Sequence, residues 1–80
     1  MTSLYDQIIQ LLRDNAKAGI LPAHIATMPL TPETKLADLG IDSLGKMGLL
    51  SALMDLTDKY LADDSIKDSN TLAEIVELVS

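Results

Sequence analysis

The sequence has no cysteine, which excludes disulfide staples and thiolate metal sites. Tryptophan and phenylalanine are absent too, and two tyrosines are its only aromatic residues. Leu, Ile, Val, Met and Ala must therefore build the interior, within a hydrophobic share of 48%. Cations are scarce: six Lys and Arg stand against twelve Asp and Glu, a formal charge of −6. That balance argues against nucleic acid, whose binding draws most of its affinity from Lys and Arg on phosphates. It suits partners with basic patches, because opposite fields speed encounter and bias docking. The longest apolar stretch, around Gly48 to Met54, is far too short to span a bilayer. Met1 to Asp6 lacks the basic start and apolar stretch of a signal peptide, so a cytoplasmic protein is expected.

Eighty residues make one domain, and residues 1–80 read as a single free-standing unit. A chain this short buries only roughly 60% of its unfolded surface. With a thin core and no covalent staple, helix packing must supply the stability.

Helical periodicity marks four segments and one long connection. Leu4, Ile8, Leu11 and Leu12 recur at helical spacing behind a Ser3–Asp6 capping pair, and Gly19 and Pro22 end this helix near Ala18. From Gly19 to Gly40 the chain carries Pro22, Pro29 and Pro32 and reads as a loop. A loop of that length needs its own apolar anchors, for which Ile20, Leu21, Ile25, Leu36 and Leu39 are the candidates.

The second helix is expected from about Ser43 to Leu61. Successive steps of about 100° place Met47, Leu49, Leu50, Leu53, Met54, Leu56 and Tyr60 on one broad face. Gly48, Ser51, Asp55, Asp58 and Lys59 occupy the opposite stripe, with Leu44 in its midst. A short helical turn around Asp63 to Asp68 is expected next. Asn70 or Thr71 then caps a last helix through the capping box Thr71-Leu-Ala-Glu74, and Leu72, Ile75, Val76 and Val79 form its buried stripe.

Chemistry concentrates in Leu36-Ala-Asp-Leu-Gly-Ile-Asp-Ser43-Leu44. This stretch turns at Gly40 and delivers Ser43 to the first turn of a helix, where unpaired N–H groups and the positive dipole end favour a phosphate. Asp42 is suited to cap that helix, while Leu36, Leu39 and Ile41 anchor the loop so that the serine faces out. Taken alone, Asp42-Ser43-Leu44 would also serve as a plain helix N-cap. Catalysis by Ser43 lacks support: the only histidine, His24, lies in the proline-bearing loop, and there is no Gly-x-Ser-x-Gly elbow. Asp63, Asp64 and Asp68 do not fit a calcium loop and read as solvated acids.

Asp38-Leu-Gly, the Gly40-to-Leu44 core, the amphipathic helix behind it and the capped last helix together resemble the acyl carrier protein family. The resemblance runs from about Leu36 to Val79 and implies an all-α fold: a four-helix bundle with a long loop between helices 1 and 2 and a short third helix. It implies that Ser43 receives 4′-phosphopantetheine from coenzyme A through a Mg²⁺-dependent phosphopantetheinyl transferase, with Asp42 aiding recognition and metal binding in that transfer. Leu44 matches the exposed apolar residue that partners grip; Met47, Ser51 and Asp55 extend that surface.

The implied protein is a monomeric, non-catalytic carrier of acyl, aminoacyl or polyketide thioesters, and its partners are ligase, synthase or transferase enzymes. Gly45, Gly48 and Met54 stand where fatty-acid carriers commonly have acids, and Lys46 adds a positive charge, which favours a specialised pathway. The glycines either loosen the helix, making room for cargo, or permit close packing of a neighbouring segment. Tyr60 is a candidate to supply bulk for Thr57, which sits where the family often has a core aromatic. The contrasting reading is a helical interaction module of the same fold with no prosthetic group.

Overall fold

Ser3 accepts a hydrogen bond from the Asp6 amide at 3.1 Å and so caps α1, Leu4–Lys17. The computed structural model describes residues 3–62 and 64–80. Ile8, Leu12 and Ala16, each four residues apart, line the buried stripe of α1. Each large side chain buried in this way contributes roughly 1.5–3 kcal/mol. Gly19, at φ 84°, turns the chain out of the helix.

The long connection is held on both sides. Leu21 and Ile25 are buried, and Ile25 lies within a single 3-10 turn, Ala23–Ala26. From α1, Arg13 Nη1 donates to the carbonyls of Ile25, Ala26 and Met28 at 3.1–3.2 Å. One cation thereby satisfies three loop acceptors with charge-assisted bonds. Ile20, expected as a loop anchor, is instead 52% exposed. It lies over Gly48 on the outside of the bundle.

Two short helices are stitched together at their starts. α2 is Leu36–Leu39, and its first amides bond to the segment before the last helix: Leu36 N to Asn70 O at 3.1 Å and Ala37 N to Asp68 O at 3.0 Å. The last helix returns the arrangement, with Leu72 N on Thr34 O at 2.9 Å and Ala73 N on Pro32 O at 3.0 Å. Lys35 and Thr71 form an antiparallel bridge between them. The orphan donors that every helix start leaves behind are thus met by the other helix's leader.

The long helix α3 spans Ser43–Thr57 and α4 spans Leu72–Val79. Among the described residues the four-helix, all-α architecture expected from the sequence is present, with the short helix before the long one rather than after it. The segment expected as a helical turn around Asp63 to Asp68 forms turns among its described residues, with Ser65 N on Ala62 O and Asn70 N on Lys67 O, each at 2.9 Å. Asp63 lies outside the described residues. Ile66 from this segment is fully buried.

Two further expectations are corrected at the end of α3. The helix stops at Thr57 rather than Leu61, because Asp58 takes the left-handed conformation (φ 56°) and its amide closes on Met54 O at 2.8 Å. Tyr60 falls beyond that stop and is 85% exposed, so it does not supply core bulk near Thr57. Of the broad face read for α3, Leu49, Leu50 and Leu53 are buried, whereas Met47 and Leu56 are exposed. The helix is apolar almost all the way round, so periodicity could not tell its inner face from its outer one. Leu36, Leu39, Leu72, Ile75 and Val79 complete a core that contains no buried polar residue among those described.

Candidate functional site

The loop before α3 is built to present Ser43. Leu36 and Leu39, at 2% and 0% exposure, sink the short helix into the core. Asp38 accepts from the Lys35 amide at 3.2 Å and steadies the start of α2. Gly40 ends α2 at φ 70°, a conformation that a side chain would strain. Ile41 packs partly against the core and Asp42 turns outward.

His24 fastens this turn from the long connection. Its Nε2 lies 2.9 Å from the carbonyl oxygen of Leu39, the last residue of α2, and its ring borders Gly40. The lone histidine therefore has a structural partner, and it bonds the backbone just ahead of the serine loop. Nothing in the sequence pairs residue 24 with residue 39, because the contact is made by tertiary folding.

Asp42 is the N-cap of α3. Its Oδ1 accepts from the Gly45 amide at 2.8 Å, and its carbonyl accepts from the Lys46 amide at 2.9 Å. Those bonds engage the third and fourth amides and leave the amides of Ser43 and Leu44 at the open, positive end of the helix. Ser43 is exposed, and no group among the described residues hydrogen-bonds its hydroxyl. An outward hydroxyl at the first position of a fifteen-residue helix fits a covalent phosphate ester: the oxygen is accessible, and the local field favours the anion.

Downstream, the candidate surface residues share one stripe. Leu44, Met47, Ser51 and Asp55 follow one another at three- and four-residue steps and all are exposed, Leu44 at 79%. Bare leucine at the tip of a helix has no packing role here.

The glycines of α3 belong to the scaffold behind the site. A Cβ at Gly45 would lie 3.0 Å from Ile41 Cγ2, 3.3 Å from Asp42 Oδ1 and 3.3 Å from Leu21 Cδ2. One at Gly48 would lie 3.0 Å from Ile20 Cγ2. Of the two roles open to these glycines, the close packing of a neighbouring segment is the one observed: the connection after α1 lies directly against the helix backbone. The packing partners Ile20 and Leu21 are more than twenty residues away in the chain, so no local pattern identifies them.

Among the described residues no group of three or more metal-ligating side chains forms, and no helix is long and apolar enough to cross a membrane. A family model described as the phosphopantetheine attachment site matches residues 6–79. No curated protein and no solved structure matches.

Proposed function

Because the chain belongs to the phosphopantetheine attachment-site family, we propose that it is a carrier whose arm is joined to Ser43. Members of this family carry 4′-phosphopantetheine covalently and are modified by phosphopantetheinyl transferases. When attached, the group supplies a terminal thiol that holds acyl-type cargo as a thioester. The observation that carries the assignment to Ser43 is its exposed hydroxyl at the first position of α3, within the matched residues.

The protein's own residues do the positioning. Asp42 holds the helix start in register, Gly40 makes the turn, and Leu36 and Leu39 fix the loop in the core. The amides of Ser43 and Leu44 and the helix dipole stabilise negative charge at the serine oxygen. Leu44 offers an apolar grip beside the serine, flanked by Met47, and Ser51 and Asp55 form the polar continuation. A partner reading this stripe makes a small contact, which suits a carrier that must leave one enzyme for the next. The carrier itself performs no catalysis; it raises the local concentration of a tethered cargo at each enzyme it meets. The first half of α3, which has Gly45, Lys46 and Gly48 and no acidic residue, supports service in a specialised pathway with dedicated ligase, synthase or transferase partners in the cytoplasm.

Incubation with coenzyme A, Mg²⁺ and a broad-specificity phosphopantetheinyl transferase, followed by intact mass measurement, tests the assignment. The wild type is expected to gain one phosphopantetheine mass and Ser43→Ala none. A wild type that gains nothing, or a gain that survives Ser43→Ala, would sink it.

A further inference from the structure

Between α1 and α3 the surface opens into a groove of about 850 Å³. Leu11, Ala52 and Leu56 supply its apolar part. Asp14 and Gln10 border it on α1, and Asp55 borders it on α3. Gln10 Nε2 donates to Asp14 Oδ1 at 2.8 Å, which holds that carboxylate in place. No lysine or arginine is among the lining residues.

The groove is connected to the serine by the helix itself. Leu44, Gly48, Ala52 and Leu56 lie four residues apart along α3; Ile20 covers Gly48, so an arm running from Ser43 to the groove passes over that half-exposed side chain. At 1.5 Å per residue, Ala52 lies about 13 Å and Asp55 about 18 Å along the axis from Ser43. A phosphopantetheine arm has a backbone comparable to about five extended peptide residues, a reach of roughly 17 Å.

We propose that this groove is the resting seat of a cargo that bears a protonated amine beside a small apolar side chain, that is, an aminoacyl group carried from Ser43. The proposal rests on the assignment of the arm to Ser43. The amine would sit between Asp14 and Asp55, two carboxylates with no cation among the lining residues, and the side chain would lie on Leu11, Ala52 and Leu56. A plain alkyl chain fits the groove less well, because it offers the two exposed carboxylates no partner. A cargo ending in a carboxylate would meet like charge. The groove is open along its length, so the hold is weak, as a load that must be handed on requires.

The test uses the full chain, isotopically labelled and loaded by the transferase with hydrolysis-stable pantetheine analogues. One bears a valyl group, one its uncharged isovaleryl counterpart and one a succinyl group; intact mass verifies each loading. Amide NMR shifts, relative to the protein with a bare arm, are expected to move at Leu11, Ala52 and Asp55 for the valyl form only. At least half of that movement should be lost in Asp14→Asn and in Ala52→Leu, which fills the floor, in protein whose complete loading is verified by intact mass. Equal shifts from the isovaleryl form, an unmoved groove in the loaded valyl form, or shifts indifferent to the substitutions would overturn the seat and leave the arm intact. Failure of the wild type to load would overturn the Ser43 assignment, and the seat with it.

Discussion

Ile20 rests against the bare backbone of Gly48: a Cβ at that position would lie 3.0 Å from Ile20 Cγ2. The same helix makes a second close approach at Gly45, but the two differ in what can yield. Ile20 is 52% exposed and free to swing outward, whereas Leu21 beside Gly45 is 3% exposed and locked in the core. Alanine removes a helix-glycine penalty of about 1 kcal/mol at either site. At Gly48 that gain should survive, so Gly48→Ala is expected to stabilise by up to about 1 kcal/mol. At Gly45 an overpacking cost of roughly 1–3 kcal/mol should exceed it, so Gly45→Ala is expected to destabilise. Urea denaturation of the two variants checks the pair; the same sign for both would refute this account of the packing.

Asp42 should show two separable roles. Asp42→Ala removes the cap on Gly45 N and is expected to cost about 1 kcal/mol of stability. Asp42→Asn keeps an oxygen acceptor and should retain most of that stability. If the charge itself assists the transferase, both variants will be modified more slowly. Thermal melts together with modification rates distinguish the cap from the charge, and an Asp42→Ala protein as stable as wild type would remove the capping role.

Leu44→Asp should leave the fold unchanged, within about 0.5 kcal/mol, because the side chain is 79% exposed. Its modification by a broad-specificity transferase should nevertheless fall in kcat/KM. Leu49→Ala, at a position 2% exposed on the same helix, is the contrast and should cost roughly 2–5 kcal/mol. A large loss of helicity in Leu44→Asp would show that this residue faces inward.

Acid should loosen α4 through Glu74. Its carboxyl is held below the ordinary value of 4.5, chiefly by the backbone hydrogen bond from Thr71 and then by the Thr71 side chain. A depressed carboxyl contributes its stabilisation above the ordinary value and loses it as pH falls through the folded-state value. The C-terminal helix should therefore fray below about pH 4.5. Glu74→Gln, which keeps an acceptor for the Thr71 amide but has no charge to titrate, should flatten that part of the profile. Amide exchange of α4 residues between neutral and acid pH measures it; a Glu74→Gln profile as steep as wild type would exclude this carboxyl.

Local signals in the chain were legible where one residue type decides the outcome. Ser3 and Thr71 cap the helices they were expected to cap, Gly40 makes its turn, and Ser43 stands at the first position of α3. What stayed hidden was set by distant neighbours. Leu61 looked like a continuation of α3 because it is apolar and in register, yet it is buried from beyond the helix end. No glycine marks that end; Asp58 adopts the left-handed conformation itself. The short helix before the serine was equally hidden, because its first donors are satisfied more than thirty residues downstream. Exposed Ile20 and Met47 were ambiguous for a different reason: an apolar residue at helical spacing reads the same whether it faces a core or a partner.

The crossed bonds between the leaders of α2 and α4 tie the loop before Ser43 to the C-terminal stretch of the chain. Residues 32–37 and 68–73 complete each other, so α2 has no partners for its first amides until the C-terminal stretch has been made and docked. During synthesis the serine loop would hang unfinished from the ribosome, short of its final shape, until nearly all of the chain had emerged. An enzyme that recognises the finished loop would then ignore nascent and truncated chains.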